Sequence, residues 1–592
     1  MFTDDMNHAV PGSTSTSGRH SSRPRLRKLP SRVLSGLFGA HFKKRVGAML
    51  RGATDGKCEE NGNSAHVLLH LHINNLPDEL IVEIFDAAHA VTFSSIDGRT
   101  LTNWLHLFHV CARWRYIIAS VPSFWRVIPI VRSLKALYYF DQFRRNTPLE
   151  IHFADLHAIP SPVKALRPYL PEIRLLSLSM HCLDFQNSPL DDVFSVPMPA
   201  LEELHIMPQA VLNTEARTNA PLSLLHFRTI RHLKLYRLIC PSDFGGWWLE
   251  SLHLHACVWN ISFDSFITTL RRCWSLVKLR LDQSLHPLAL TAPQGRVSYP
   301  HLGRASLYDL RSLIIEDYSP ELVSTVLAHV RAPFIRYLRV VCYATRPRRE
   351  DSEALVSSEG LLRPLLPPDP WDHLQLALDA GSATANISIR DDMCTLTVSS
   401  VKAGYSSTAT LSARFDRQWT RVVPTAMQDL TDLFSSARIT TLVIHGSSYY
   451  IFPMDWMKLF NALPSLETLD LTSSGTWVAM WHGLRRAGRL QSAPEDVGCP
   501  RLATIRIRHI SRPEDNYPAP PDEDDLKVIK DTLRWRATHG VRLRNLSWSM
   551  CSAEHADYDA ARKRFLDELR PFIEGALAYE YISDSPAPGV AS

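Results

Sequence analysis

The sequence predicts an α/β fold in which a short helical unit leads into a long, irregular array of strands behind a polar tail. Three observations predict it. Residues Ile73–Ala88, INNLPDELIVEIFDAA, join a Leu-Pro pair to an acidic, apolar helix start. Downstream, triplets of Leu, Ile or Val recur in the arrangement L-x-x-L-x-L between polar, Pro-bearing connectors. Upstream, residues 1–65 are so rich in Ser, Gly, Arg and Asn that they bury too little surface to offset their chain entropy, which predicts disorder.

Composition bounds the function. The 592 residues are 45% hydrophobic and 21% charged, enough for a large core and several domains. A formal net charge of +5 is small for that length, so neither nucleic acid nor a membrane is expected as a partner. Ten cysteines without a C-x-x-C pair read as reduced thiols, which predicts a cytoplasmic or nuclear protein. There is no run of about 18 uncharged apolar residues and no signal-peptide pattern, so neither secretion nor membrane spanning is expected.

In chain order, the tail carries one basic, apolar stretch, Arg32–Gly52 with Lys43, Lys44 and Arg45, which reads as a solvated basic segment, the alternative being a site for an anionic surface or a nuclear import receptor. The first helix follows. Pro77 suits a first helical turn, where an N–H has no partner, and Asp78 and Glu79 set negative charge against the positive end of the helix dipole. Leu80, Ile84 and Ala88 share a face with Ile81 and Phe85 beside them, a stripe wide enough to need partners on more than one side. Trp104, Leu107, Cys111, Trp114 and Ile118 step by three and four and predict a second helix opening after Asn103. SVPSFWRVI then closes the unit, with Pro122 as a stop and Phe124 and Trp125 as bulky anchors. So few helical residues bury little, and a unit over residues 66–130 is therefore expected to dock onto another protein.

These residues resemble the F-box family. LPDELIVEIF, HVCARWRYII and PSFW stand in its order of Leu-Pro, helix, Val-Cys-x-x-Trp-Arg and closing Trp, over roughly a tenth of the chain. The resemblance implies a trihelical unit that binds a Skp-type adaptor and, through it, a cullin ubiquitin ligase. It implies adaptor contacts at Leu76, Pro77, Leu80, Ile84, Phe85, Val110, Cys111, Trp114 and Trp125. The segment between the helices, HAVTFSSIDGRTLTNW, is longer than usual for the family and lacks its Asp-Leu-Leu step, a departure it shares with many fungal members.

From residue 131 onward the triplets include Leu201/Leu204/Ile206, Ile230/Leu233/Leu235, Leu249/Leu252/Leu254, Leu276/Leu279/Leu281, Ile335/Leu338/Val340, Ile439/Leu442/Ile444, Leu466/Leu469/Leu471 and Leu502/Ile505/Ile507. Chance alone would supply roughly five over this length if about a fifth of residues qualify. The flanks carry more weight. Pro171, Pro199, Pro333, Pro464 and Pro500 each stand two residues ahead of a triplet, where Pro ends a connector without costing a ladder bond. Several intervals are about 25–29 residues, the spacing of a leucine-rich repeat with one strand and one helix per unit. The interval from Leu374 to Leu442 is too long for this, and ANISIRDD, CTLTVSS and TATLSARF within it alternate as three strands, a β insertion near residues 386–415. Residues 131–555 are thus expected to form an irregular leucine-rich-repeat solenoid, similar to the degenerate repeats that follow the box in many fungal F-box proteins. LKVIKDTLRWRATHG reads as a connecting helix ended by Gly540, VRLRNLSWSM as the last strand, residues 556–582 as a capping helix and 583–592 as a disordered end.

No catalytic constellation is visible. Motifs for phosphate loops, dinucleotides, nucleophile elbows and zinc proteases are missing, so neither enzymatic activity nor a cofactor is expected. His66, His70 and His72 lack a completing ligand, and His253, His255 and Cys257 read as surface residues alternating along one strand face, so no metal is expected. Cys111, in an apolar helix stripe, reads as a small hydrophobe. Residues between and beside the triplet positions point away from the core, which sets Lys234, Tyr236, Lys278, Arg280, Tyr337, Arg339, Arg506 and Arg508 on one face. Such a strip suits an acidic or phosphorylated protein segment unless neighbours such as Asp282 and Asp470 offset its charge. The expected function is substrate recognition in an SCF-type ubiquitin ligase, with the box holding the adaptor and the repeats holding a protein. The alternative is a non-catalytic leucine-rich scaffold not coupled to ubiquitination.

Overall fold

The computed structural model describes residues 76–94, 107–130, 135–153, 166–180, 196–208, 227–240, 248–259, 261–285, 303–343, 360–378, 381–390, 392–402, 404–415, 421–446, 450–473, 477–487, 497–509, 521–550 and 558–581, with 164, 194 and 288 singly. The polar tail, Arg32–Gly52, His66, His70, His72 and residues 583–592 lie outside them. The chain divides into two units, the first ending at Phe124 and the second beginning at Trp125.

In the first unit the helix Asp78–Ser94 opens directly after Pro77, whose carbonyl accepts the Ile81 N–H at 3.2 Å. Arg113, at the start of the helix Ala112–Ser120, reaches back to the Asp78 carboxylate at 2.9 Å and the Leu76 carbonyl at 2.6 Å, tying the two helix starts together. The expected helix from Asn103 through Ile118 is interrupted. Cys111 is extended, with φ −155° and ψ 171°, and its Sγ accepts the Trp114 N–H at 3.4 Å, so it caps the helix instead of lying in an apolar stripe. Phe85 packs edge-on against Trp114 at 4.9 Å and Phe124 at 6.2 Å, and Ile81, Leu107, Ile117 and Ile118 complete the buried set.

The second unit is a mixed α/β structure on one sheet of seventeen strands, from Val127–Ile130 at one edge to Leu577–Tyr581 at the other. Eleven α-helices occur among the described residues of the chain. Parallel neighbours need crossover connections, and seven of those helices, the first Lys135–Arg144 and the last Tyr558–Leu569, stand between successive strands of the sheet that pair in parallel. Several are capped by the residues that favour it. Ser262, Ser319 and Asp522 each accept an N–H of the first turn.

All eight triplets lie in or at the start of strands, with their apolar side chains buried. Two buried rows keep their register from strand to strand, with shifts only at Leu149/Glu150 and Ala383/Thr384, at strand starts outside the rows. Ile128, Ile151, Leu176, Leu204, Leu233, Leu252, Leu279, Leu313 and Leu338 are successive partners, and a parallel row runs from Ile130 through Phe153, Leu178, Ile206, Leu235, Leu254, Leu281 and Ile315 to Val340. The β insertion joins this order. Ala383–Arg390, Met393–Lys402 and Tyr405–Arg414 form an antiparallel meander whose last strand pairs with Tyr337–Cys342 and whose first pairs with Ile439–His445. Both rows cross it, as Leu338–Ala409–Val398–Ala385–Leu442 and Val340–Leu411–Leu396–Ile387–Ile444. They then continue to Leu577 and Tyr579.

Several expectations are corrected. Val127–Ile130 belongs to the sheet, so the second unit starts at Trp125 and not at residue 131. Leu149–Phe153 and Ser312–Asp317 are strands without a named triplet: Pro148 stands where the pattern needs an apolar residue three ahead of Ile151, whereas Leu310/Leu313/Ile315 fits the pattern and sequence reasoning missed it. Leu374 lies in the helix Trp371–Leu378, and the insertion spans residues 383–414. Residues 556–582 hold the helix Tyr558–Leu569 and also a strand, Leu577–Tyr581, that extends the sheet beyond Asn545–Met550.

Two buried charged side chains fasten connectors. Asp429, on the helix Val422–Phe434, accepts the N–H groups of Leu361 at 2.8 Å and Leu362 at 2.7 Å. Gly360 is left-handed there, at φ +74°, and a Cβ on it would stand 2.0 Å from the Asp429 carboxylate. Arg536 donates to the carbonyls of Gly498 at 3.0 Å, Cys499 at 3.2 Å and Leu502 at 3.3 Å, holding the approach to the strand Thr504–His509. Arg536→Ala would orphan these buried acceptors and should cost about 3 kcal/mol in urea unfolding, with Arg536→Lys recovering only part because it lacks the planar fork. A loss within error of zero would show that water replaces the guanidinium.

Burial raises the Asp429 carboxyl from its ordinary 3.8 to about 6, against the lowering effect of the backbone N–H groups. Its protonated form is therefore favoured by folding, and the stability it contributes below 3.8 is lost as pH rises through about 6. Between those values the wild type should lose stability relative to Asp429→Asn. Parallel unfolding curves for the two proteins across that window would contradict this assignment.

Candidate binding surface

The face of the sheet opposite the buried rows carries the predicted strip, in two separated parts. Lys234, Tyr236, Lys278, Arg280, Tyr337 and Arg339 lie on neighbouring or near-neighbouring strands, where Lys234 pairs with His253, His253 with Arg280, and Arg280 with Ile314 beside Arg339. Arg506 and Arg508 lie on Thr504–His509, six strand steps beyond Arg339, or about 29 Å at the usual spacing of about 4.8 Å. The single strip is thus corrected to two clusters.

Within the first cluster much of the positive charge is already engaged. Asp282, buried at the end of its strand, receives Arg280 Nε at 2.7 Å and His253 Nε2 at 3.0 Å, with His255 Nδ1 at 3.7 Å. Glu316, on the next strand, stands 3.1 Å from Arg339 Nε and 4.0 Å from Arg280 Nη2, and accepts the Tyr343 hydroxyl at 2.6 Å. Tyr236 packs over both imidazoles, 5.1 Å from His253 and 5.4 Å from His255. In the second cluster Arg508 stands 3.7 Å from Asp470. Among the described residues Lys234, Lys278 and Arg506 make no ion pair.

Burial depresses His152 to about 4. Burial, helped by Lys234 and neighbouring imidazoles, depresses His205 to about 3, so both are neutral at physiological pH and add no positive charge. Burial, reinforced by the hydrogen bond to Glu316, pushes the Tyr343 hydroxyl up to about 12.

His253, His255 and Cys257 do not share a face. Ala256 is left-handed at φ +50°, as are Arg237 and Gln283 after the flanking strands, and the reversal buries Cys257, whose thiol donates to the Leu235 carbonyl at 3.2 Å. Among the described residues no group of three His, Cys, Asp or Glu side chains could hold a metal ion, and no helix is long and apolar enough to cross a membrane.

The residues expected to meet an adaptor fall into three sets. Pro77 is exposed, and Leu76, Leu80, Ile84, Val110 and Cys111 are half-buried. Phe85 and Trp114 are buried in the core of the first unit and are supports, not surface. Trp125 belongs to the second unit, stacked on Phe143 at 4.5 Å and edge-on to Phe140 at 5.1 Å.

Sequence reasoning missed Glu316 and Tyr343. Leu310/Leu313/Ile315 repeats the triplet pattern and could have placed Glu316 on the outer face, but the ion pairing itself depends on strand register, which the pattern does not contain.

Burial alone would raise the Asp282 carboxyl, but hydrogen bonds from His253 and His255 and the charge of Arg280 hold it well below the usual carboxylate range. A depressed carboxyl stabilises the fold above its unfolded value, and that contribution is lost as pH falls. As pH drops from about 5 toward 2, the wild type should lose stability faster than Asp282→Asn. Equal slopes in acid titrations followed by circular dichroism would dismiss the cluster as a stabilising network.

No protein-family model matches the chain, and no curated protein matches it in sequence.

Proposed function

We propose that the chain is a substrate-recognition subunit of an SCF-type ubiquitin ligase, with residues 76–124 docking a Skp-type adaptor and the second unit holding a protein for modification. The observation that carries the reading is the order of LPDELIVEIF, HVCARWRYII and PSFW within one small helical unit. Leu80 and Ile84, one turn apart beside the buried Ile81 and Phe85, offer the half-exposed apolar surface that such docking needs. The second unit supports the role as an irregular leucine-rich-repeat solenoid, because in-register parallel strands with intervening helices suit that repeat architecture and leave one sheet face for a partner. Catalysis belongs to the partners, and the chain contributes proximity.

Replacing Leu76 and Pro77 together by Ala should reduce co-purification of a Skp-type adaptor by about tenfold, while the thermal transition of the second unit stays in place. Undiminished capture by the double variant would overturn the docking assignment. A wild-type chain that captures no adaptor would favour a scaffold outside ubiquitination.

A further inference from the structure

With Arg280 and Arg339 held by Asp282 and Glu316, the face of the first cluster keeps Lys234 without an ion pair among the described residues, and further uncommitted charge lies at the rim where chains enter the strands. Four successive entries each expose one aromatic ring: Trp248, Trp274, Tyr308 and Phe334, ahead of Ser251–His255, Lys278–Asp282, Ser312–Asp317 and Tyr337–Cys342. Tyr337 and, on the next strand, Tyr405 extend the row, and exposure runs from 36% at Trp248 to 59% at Tyr405. Rings this exposed on adjacent rungs gain little from folding, and aromatic and Arg side chains are the residues most enriched at protein contact surfaces.

Cations are interleaved with them. The Arg311 guanidinium lies over Phe334 at 5.4 Å and donates to the Tyr308 carbonyl at 3.1 Å, and Arg336 lies over Tyr405 at 4.3 Å. Neither has a carboxylate partner among the described residues, nor has exposed Lys278. Asp309 is the one acid in these turns without an ion pair among the described residues, since Glu250 is joined to Arg231 at 3.1 Å. The frame beneath is fixed by backbone bonds. The N–H of Glu250 meets Arg231 O, Val277 meets Glu250 O and Arg311 meets Val277 O, each at 2.8 Å, and Arg336 meets Arg311 O at 2.9 Å.

We propose that this rim, from Trp248 to Tyr405, is a docking surface for an extended, carboxylate-rich peptide segment of a partner protein. Lys278, Arg311 and Arg336 on three consecutive strands would take the carboxylates, and the rings would take apolar side chains between them. Four strand steps span about 19 Å, the reach of about six extended residues. Single-stranded nucleic acid fits less well. Rungs about 4.8 Å apart leave no room for a base between successive rings, and three cations give a small phosphate footprint. The inference does not depend on the adaptor reading, since it involves none of residues 76–124.

The test uses the full chain and fluorescence anisotropy with a labelled ten-residue peptide alternating Glu or Asp with Leu, beside a Gln/Leu peptide and an oligouridine of equal charge. The acidic peptide should bind best and lose affinity with added salt. Trp274→Ala/Tyr405→Ala and Arg311→Ala/Arg336→Ala should each weaken it by about tenfold, and Arg508→Ala on the distant cluster should not. These side chains are exposed, so unchanged circular-dichroism melting would confirm that the variants fold. An acidic peptide that binds no better than its Gln/Leu counterpart, or equally well to the rim variants, would overturn the proposal. Tighter binding of oligouridine, abolished by the same variants, would also overturn it and assign the rim to nucleic acid.

Discussion

The constant register of two buried rows is the constraint on which the second unit depends. Each strand contributes one side chain to each row, and a fully buried Leu, Ile or Val adds about 1.5–3 kcal/mol relative to exposure. Because side chains alternate, a slip of one residue in any strand would send its buried pair to the outer face and its charged residues inward. Register at one strand is therefore enforced by the strands on both sides, through Leu252 against Leu233 and Leu279, for example. Placement on the outer face follows without further specification. His253 stands between Lys234 and Arg280 because Leu252 and Leu254 are held where they are.

The antiparallel meander shows how much topology this constraint tolerates. The strand order reverses between Tyr337–Cys342 and Ile439–His445, yet both rows pass through. Ala409, Val398 and Ala385 occupy one of them, smaller than the leucines on either side, on strands packed against the helices Trp371–Leu378 and Val422–Phe434. The outer face of the meander is furnished with hydroxyls, as in Thr395–Ser412 at 3.0 Å and Thr397–Thr410 at 3.4 Å. A stretch of neutral hydroxyls thus separates the Arg and Lys residues near Asp282 from those near Asp470, which is why one strip in sequence becomes two clusters on the sheet.

Legibility in the sequence followed the same division. Burial was readable, because Leu204, Leu233, Leu252 and Leu279 face inward for the period-two reason that identified them. The direction of Lys234, Arg280 and Arg339 was readable as well, as a consequence of the same alternation. Their charge state was readable in part, since Asp282 and Asp470 do pair with Arg280 and Arg508, but Glu316 is far from Arg280 in sequence and meets it only through pairing of their strands. Helix breaks were also hidden. The spacing of Leu107, Cys111, Trp114 and Ile118 is helical, but Cys111 is extended and caps the next helix, a local choice that apolar periodicity does not encode. Trp125 matched a closing anchor of the first unit, and its ring instead lies with Phe140 and Phe143, because a large apolar side chain at a boundary is held by whichever core lies nearer.

The outer face and the rim consequently differ in what they have left to offer a partner. On the face, Asp282 is buried and receives Arg280 and both imidazoles, so drawing Arg280 toward a ligand would leave a buried carboxylate short of positive charge, a cost that offsets much of any new ion pair. At the rim, Arg311 and Arg336 lie over rings and their cationic edges remain without carboxylates among the described residues, so a ligand there need not break an existing ion pair. Exposed ion pairs contribute about 0–1 kcal/mol each, which makes the rings the larger source of affinity and the cations the source of selectivity for acidic segments. The backbone bonds from Arg231 to Arg336 hold these groups on successive rungs before any partner arrives, so the entropic cost of binding falls mainly on the partner. Rigid strands supply the placement, and the short turns ahead of them supply the chemistry.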